Sequence, residues 1–319
     1  MSILSIQQLY KKYGKEGSAL EDFSMEISKG SIWSLVGESG SGKSTLLKII
    51  AGLEVQDQGA VYLKGNKILN PAERLVAGYE EIQLIHQQNN LYPHSTVEEN
   101  IARPLLQYDK RYKMERVEIL LELLHLQQHR GKLPKQLSGG QQQKVAIGRA
   151  LSIEPEILLL DEPFSSLDNI QKRGLIEELE AMFEKLEVTV IFVTHDIDDA
   201  MTMTDQLCII KKGKLIQKGL AHNLYERPES LYVAKLFSEL NPLPEQPNSY
   251  VRPSELMFTK ESNGIKGEVI SKQYLVSYNR LTILLREFGL EWKVEDRERK
   301  YEKGDQVYIG YEEEKILKF

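Results

Sequence analysis

The sequence predicts an α/β protein: a mostly parallel sheet up to about residue 239, followed by a small all-β domain. Three observations carry this expectation. Apolar runs of strand length at 31–36 (SIWSLV), 157–160 (ILLL) and 188–194 (VTVIFVT) alternate with helix-length patterns. Strands this uniformly apolar are buried on both faces, as parallel strands between helices are. After a proline-bearing stretch the texture changes to short alternating runs.

The elements follow in order. Residues 3–9, 21–28 and 59–63 read as strands of an antiparallel sheet beside the parallel one. Segments 43–52, 112–128, 141–152 and 170–186 have helical length and spacing, as in KMERVEILLELLHL. Residues 207–218 (QLCIIKKGKLIQ) read as a hairpin turning near Lys212-Gly213. In NPLPEQPNSY, Pro242, Pro244 and Pro247 cannot continue a helix, so 240–249 is expected to be an extended linker. GIKGEVI, YLVSY, LTILL, DQVYIGY and KILKF then predict a barrel-like β-domain over 250–319. The first domain is expected at 1–239, with a helical subdomain at about 88–153.

The 319 residues fit two or three domains, and 41% hydrophobic with 28% charged residues is a globular composition. A net charge of −6 argues against a nucleic-acid partner held by phosphate contacts. The single cysteine, Cys208 in QLCII, excludes an intrachain disulfide, suits a reducing cytosol and reads as a small buried strand residue. MSILSIQQLYKK lacks the apolar region of a secretory signal. No stretch approaches the roughly 18 apolar residues of a membrane span, so the chain is not expected to cross a bilayer.

Chemistry concentrates in three segments. GESGSGKST, residues 37–45, places Gly37, Gly42, Lys43 and Ser44 in the pattern G-x-x-x-x-G-K-[ST], between an apolar strand and a helical pattern. Glycines let the backbone curl so that successive N–H groups bind phosphate oxygens at a helix start. Lys43 would reach the β- and γ-phosphates, and the Ser44 hydroxyl would ligate Mg²⁺. ILLLDEP places Asp161 and Glu162 at the carboxyl end of a buried strand, where open α/β sheets gather ligands. Asp161 would orient Mg²⁺ and Glu162 would polarise the attacking water. In LSGGQQQKVAIGRAL, residues 137–151, Ser138, Gly139, Gly140 and Gln141 open a helix and offer a hydroxyl and free amides to a phosphate. A domain that already has one phosphate cradle would use a second one in trans.

LSGGQ between the glycine loop and ILLLDEP closely resembles the signature of ATP-binding cassette (ABC) proteins. The resemblance implies a P-loop NTPase fold, with a RecA-like parallel core sheet, an antiparallel β subdomain and a helical subdomain. It makes Glu38, Ser39, Gly40, Ser41 and Thr45 part of the ATP-binding loop. Tyr13, in KKYGKEG, resembles the aromatic residue that stacks on adenine. Gln87, in LIHQQNNLYPHSTVEENI, resembles the glutamine that reaches Mg²⁺ and water and senses a membrane partner. SSLD, comprising Ser165, Ser166, Leu167 and Asp168, looks like the loop through which two cassettes communicate. His195, in VTHD, resembles the switch histidine at the γ-phosphate.

YVRPSEL, residues 250–256, with the β-domain after it, is similar to the TOBE domain of importer ATPases, whereas NPAERLVAGYEEIQLIHQQ departs from the commoner importer wording. The resemblance thus implies an ATP- and Mg²⁺-dependent hydrolase at the cytoplasmic face of a membrane. Its partners would be a second ATPase subunit, as a homodimer, transmembrane permease subunits and an extracytoplasmic solute-binding protein, with no nucleic acid. An exporter ATPase, or a soluble ATPase with a ligand-sensing terminal domain, is the alternative.

Overall fold

A computed structural model describes residues 2–14, 17–87, 89–165, 167–204, 206–260 and 264–319. It divides into two compact units, Met1–Asn223 and Leu224–Phe319. The first unit opens with β1 (Ser2–Lys12), β2 (Ser18–Ser28), β3 (Ile32–Val36), α1 (Lys43–Ile50), β4 (Gln58–Leu63), β5 (Asn66–Lys67) and β6 (Ile82–Ile85). Helices α2 (Val97–Ala102), α3 (Lys110–Leu123) and α4 (Gly139–Leu151) come next. It continues through β7 (Ile157–Asp161), α5 (Asn169–Leu186), β8 (Thr189–Thr194), α6 (Ile197–Met203), β9 (Gln206–Lys211) and β10 (Lys214–Leu220), and α7 (Ala221–Glu226) straddles the division.

Six strands form the central sheet in the order β10-β9-β3-β8-β7-β6, parallel except for the β9–β10 hairpin. Side chains along these strands alternate between two cores. Ile32, Leu158, Leu160, Val190 and Phe192 join the core beneath the helices. Leu35, Ile157, Leu159, Ile191 and Val193 join the core shared with α1 and the four-stranded sheet β2-β1-β4-β5. Burial on both faces is why the inner strands β7 and β8 are apolar except at their ends, and each buried leucine contributes about 1.5–3 kcal/mol.

Parallel register also decides where the chemistry sits. Val36 pairs with Thr194, Asp161 with Val193 and Ile85 with Leu160, so β3, β8, β7 and β6 all end at one sheet edge.

Caps define the helices beside the sheet. Thr96 and Glu99 form a capping box at α2, and Asp109 accepts the amides of Arg111 and Tyr112 at α3. The pattern read as helical over 112–128 stops at Leu123. There His125 takes φ +54 and closes a Schellman motif, with Leu126 N–H donating to the Leu121 carbonyl at 2.8 Å.

In the second unit, α8 (Leu231–Phe237) precedes β11 (Asn241–Pro242), β12 (Ser249–Val251), β13 (Leu256–Phe258), β14 (Ile265–Tyr274), β15 (Asn279–Leu285), β16 (Leu290–Asp296), β17 (Gln306–Tyr311) and β18 (Leu317–Lys318). These form a three-stranded sheet, β11-β12-β18, and a curled five-stranded antiparallel sheet, β13-β17-β14-β15-β16, around buried Trp292.

Several expectations need correction. The units divide at Asn223/Leu224 rather than at 239. The stretch expected as a linker at 240–249 is folded: Asn241 pairs with Val251 and Pro242 with Tyr250, Leu243 is in the core, and the Asn241 side chain donates to the Lys293 carbonyl at 2.8 Å. Its prolines sit on a short strand and a turn, where missing amides cost little. YLVSY is not a strand; beyond Tyr274 it turns into β15. The strand LEWKVED, which carries Trp292, was not anticipated.

Candidate active site

The glycine loop leaves β3 at Val36 and is clamped by its neighbours. A Cβ on Gly37 would lie 2.2 Å from the Ile210 carbonyl oxygen, and one on Gly42 would lie 2.1 Å from that of Ala19. Gly42 also has φ +104 and Gly40 φ +78, in the left-handed region glycine tolerates. The Ser41 carbonyl accepts from the Gly213 amide at 2.8 Å, pinning the loop to the β9–β10 turn. Glu38, Ser39, Gly40 and Ser44 are exposed, Thr45 is half-buried, and the buried Ser41 hydroxyl has no partner among the described residues.

Lys43, the first residue of α1, is only 5% exposed. Its ammonium donates to the carbonyls of Gly37 at 2.7 Å and Glu38 at 2.8 Å. Burial pushes its pKa down, against the opposing pull of Glu162, Asp161 and Glu38. The loop thus holds a desolvated cation whose present partners are two neutral oxygens.

Across the sheet edge, the Ser44 hydroxyl donates to Asp161 Oδ1 at 2.9 Å. Burial raises the Asp161 carboxyl above the usual carboxylate range, and Glu162 adds to this. One hydroxyl and one carboxylate oxygen suit Mg²⁺, which takes hard oxygen ligands and keeps several from phosphate and water. Among the described residues, no group of three or more His, Cys, Asp or Glu could hold a metal by itself. A cation at Ser44 and Asp161 would therefore complete its shell from a bound ligand.

Glu162 follows β7 with φ +46, uncommon for a residue with a side chain and a form of strain that concentrates at functional sites. Its amide donates to the Val193 carbonyl at 3.0 Å, and its Oε2 lies 3.2 Å from His195 Nδ1 just beyond β8. Gln87, beyond β6, donates to Ser165 Oγ at 3.0 Å, and Ser165 Oγ donates to the Glu162 carbonyl at 3.0 Å. Arg149 of α4 binds the carbonyls of Asn89 and Asn90 and so fastens the segment after Gln87 to α4.

Tyr13 is 46% exposed, and its hydroxyl donates to Glu54 Oε2 at 2.9 Å while Lys11 Nζ binds Glu54 Oε1 at 2.9 Å. Burial, then Glu54, raises the phenol's pKa, while the Thr45 hydroxyl opposes the rise.

Ser138 is the N-cap of α4 in a full capping box. Its hydroxyl accepts the Gln141 amide at 3.3 Å, and Gln141 Oε1 accepts the Ser138 amide at 3.1 Å. The Gln141 amide nitrogen lies 3.1 Å from His129 Nε2. A Cβ on Gly139 would meet Leu167 Cδ2 at 2.8 Å, whereas one on Gly140 would make ordinary contact, 3.7 Å from Leu175 Cδ2. Asp168 Oδ1 accepts the Gln171 amide at 2.9 Å at the start of α5. Ser166 lies outside the described residues.

The sheet edge therefore brings together Lys43, Ser44, Asp161, Glu162, Gln87, Ser165 and His195. Two sets of residues escaped the sequence reading: Lys11 and Glu54 behind Tyr13, and Lys172 with Asp196 and Asp199 behind His195. No spacing pattern marks either set, because each joins separate elements of the fold.

Comparison with known proteins identifies the family. The ABC transporter family model matches residues 20–165. A sulfate/thiosulfate import ATP-binding protein from Gloeobacter violaceus is 39% identical over 83% of this chain and 79% of its own length. A spermidine/putrescine import ATP-binding protein from Haemophilus influenzae is 34% identical over 89% of this chain and 75% of its own. Among solved structures, a dimeric post-hydrolysis ATP-binding cassette bound to ADP and Pi aligns with a TM-score of 0.59 and 32% identity, covering 68% of this chain and 98% of that one. The nucleotide-loop geometry and these relatives together make the chain a member of the ABC transporter family, an ATP-binding and ATP-hydrolysing cassette.

Proposed function

We propose that this cassette energises solute import as one of a head-to-tail pair, each ATP held between the glycine loop of one copy and the Ser138–Gln141 segment of the other. One observation carries the reading. Lys43, Ser44, Asp161, Glu162 and His195 assemble on a single sheet edge, while Gly140 opens a second helix with no positive φ and no close neighbour that demands glycine. A residue that its own chain does not require to be glycine can be required by a ligand on another copy.

The residues then divide the work. Tyr13 stacks on the adenine. The amides of Gly37–Thr45 and the α1 start hold the phosphates, and Lys43 exchanges its carbonyl partners for phosphate oxygens. Bound Mg²⁺, ligated by Ser44 and Asp161 with Gln87 nearby, would neutralise phosphate charge. Glu162 accepts a proton from the attacking water and His195 steadies that carboxylate, so catalysis is mainly positioning and electrostatics. Phosphate loss removes the charge joining the two copies, and the pair opens.

Gln87, tied to Ser165, and the helical subdomain would pass this motion to separate permease subunits at the cytoplasmic face of a membrane. Among the described residues no helix is long and apolar enough to cross one. The import relatives support uptake, served by an extracytoplasmic solute-binding protein. Their named cargoes, sulfate/thiosulfate and spermidine/putrescine, differ in charge sign, so cargo choice belongs to the membrane subunits. The β-rich unit fits a TOBE-like role in the same machine.

The test is size-exclusion with light scattering on the Glu162→Gln chain. With Mg²⁺ and ATP it should elute as a dimer, and without nucleotide as a monomer. A strictly monomeric, ATP-saturated variant at high concentration overturns the shared-site reading.

A further inference from the structure

We infer that Lys172 is a positioning residue that couples the Ser138–Gln141 segment of a chain to the Glu162–His195 pair of the same chain. The inference rests on the shared-site reading above and adds a route by which one half-site senses the other. A continuous run of contacts supports it. The start of α4 abuts Leu167, whose Cδ2 lies 2.8 Å from where a Gly139 Cβ would stand. Asp168, next in sequence, anchors the first turn of α5: its Oδ1 accepts the Gln171 amide and its carbonyl accepts the Lys172 amide, each at 2.9 Å.

The Lys172 side chain is 16% exposed, and its ammonium lies 2.7 Å from Asp199 Oδ1 and 3.5 Å from Asp196 Oδ2. Asp196 directly follows His195 and is the N-cap of α6, where its side chain accepts the amides of Asp198 and Asp199. Its own amide donates to Thr194 Oγ1 at 3.0 Å. His195 then meets Glu162 at 3.2 Å. Glu162, Leu167, Lys172, His195 and Asp199 line one cavity, so the two ends of this run of contacts face a common space.

A displacement of Leu167, imposed when the α4 start engages a ligand, therefore moves the first turn of α5. The ammonium carries that movement to the residue beside His195. Coupling of this kind is an energy between sites and has to be measured as one.

The experiment uses the full chain with Mg²⁺ and ATP, comparing Lys172→Met, Asp199→Asn, the double variant and Lys172→Arg. Both single variants should lower kcat about 10-fold and bring the Hill coefficient for ATP from about 2 towards 1, with binding of a fluorescent ATP analogue unchanged. The double variant should be no worse than either single one, and Lys172→Arg should restore most of kcat. Wild-type kcat and cooperativity in Lys172→Met overturn the inference, as do fully additive losses. Asp199→Asn, which keeps shape and volume, serves if Lys172→Met does not fold. If Glu162→Gln forms its ATP-dependent dimer while Lys172→Met behaves as wild type, this coupling alone fails. If no such dimer forms, the shared-site reading fails first.

Discussion

The two glycine-rich helix starts look alike as sequence but are built on different terms. At 37–44, Gly37 and Gly42 face carbonyl oxygens of β9 and β2 at distances no Cβ could tolerate, and Gly40 and Gly42 need positive φ. At 138–141, a capping box makes a regular helix start, Gly139 faces only a flexible leucine, and Gly140 has ordinary clearance. The first loop is held in shape by its own chain, and in the proposed function it wraps a phosphate. The second is a regular helix start that its own chain does not require to carry glycine at 140. Glycine in the two places therefore answers to different constraints. The fold itself demands Gly37 and Gly42, whereas at Gly140 the fold makes no such demand and the proposed shared site would supply one.

Four substitutions break or sharpen that contrast. The largest effect is expected from Glu162→Gln, which should cut steady-state ATP hydrolysis by about 10²–10⁴-fold while leaving ATP binding intact; a colorimetric phosphate assay and equilibrium binding check it. Near wild-type turnover would remove Glu162 from the proton-accepting role.

Lys43→Met comes next. Losing a charge-assisted contact should weaken ATP binding about 10–100-fold by titration calorimetry. The nucleotide-free chain should keep its Tm, because the desolvation cost of the buried ammonium offsets its two carbonyl hydrogen bonds and the attraction of Glu162, Asp161 and Glu38.

The paired glycine variants test the comparison directly. Gly42→Ala should cost about 1–3 kcal/mol in denaturant unfolding and abolish nucleotide binding, since both the φ and the Ala19 contact forbid a Cβ. Gly140→Ala should leave Tm unchanged or raise it by up to about 3 °C, alanine being the better helix former. It should nevertheless lower ATPase activity and ATP-dependent dimerisation. A destabilised Gly140→Ala chain would show that its glycine, too, serves the fold.

The smallest effect concerns Cys208, buried at 1% exposure in β9, with its thiol pushed up to about 12 by burial. Iodoacetamide at pH 8 should leave the folded chain unlabelled, and label it only after unfolding.

By itself the sequence determined the pieces whose cause is local: the parallel strands, because uniform apolar runs admit no solvent face, and the phosphate loop, because its residue types and spacing encode one geometry. Helix and strand periods also placed α1, α4, α5 and β8 within a residue or two. What only tertiary structure decided involves residues far apart in the chain. Register put Val36, Ile85, Asp161 and Thr194 at one edge. Burial shifted Lys43 and Asp161 in opposite directions. The prolines of 240–249 found places in a folded sheet, and Lys172 met Asp199 across two helices. Periodicity is a property of neighbours along the chain, whereas desolvation and ion pairing depend on neighbours in space.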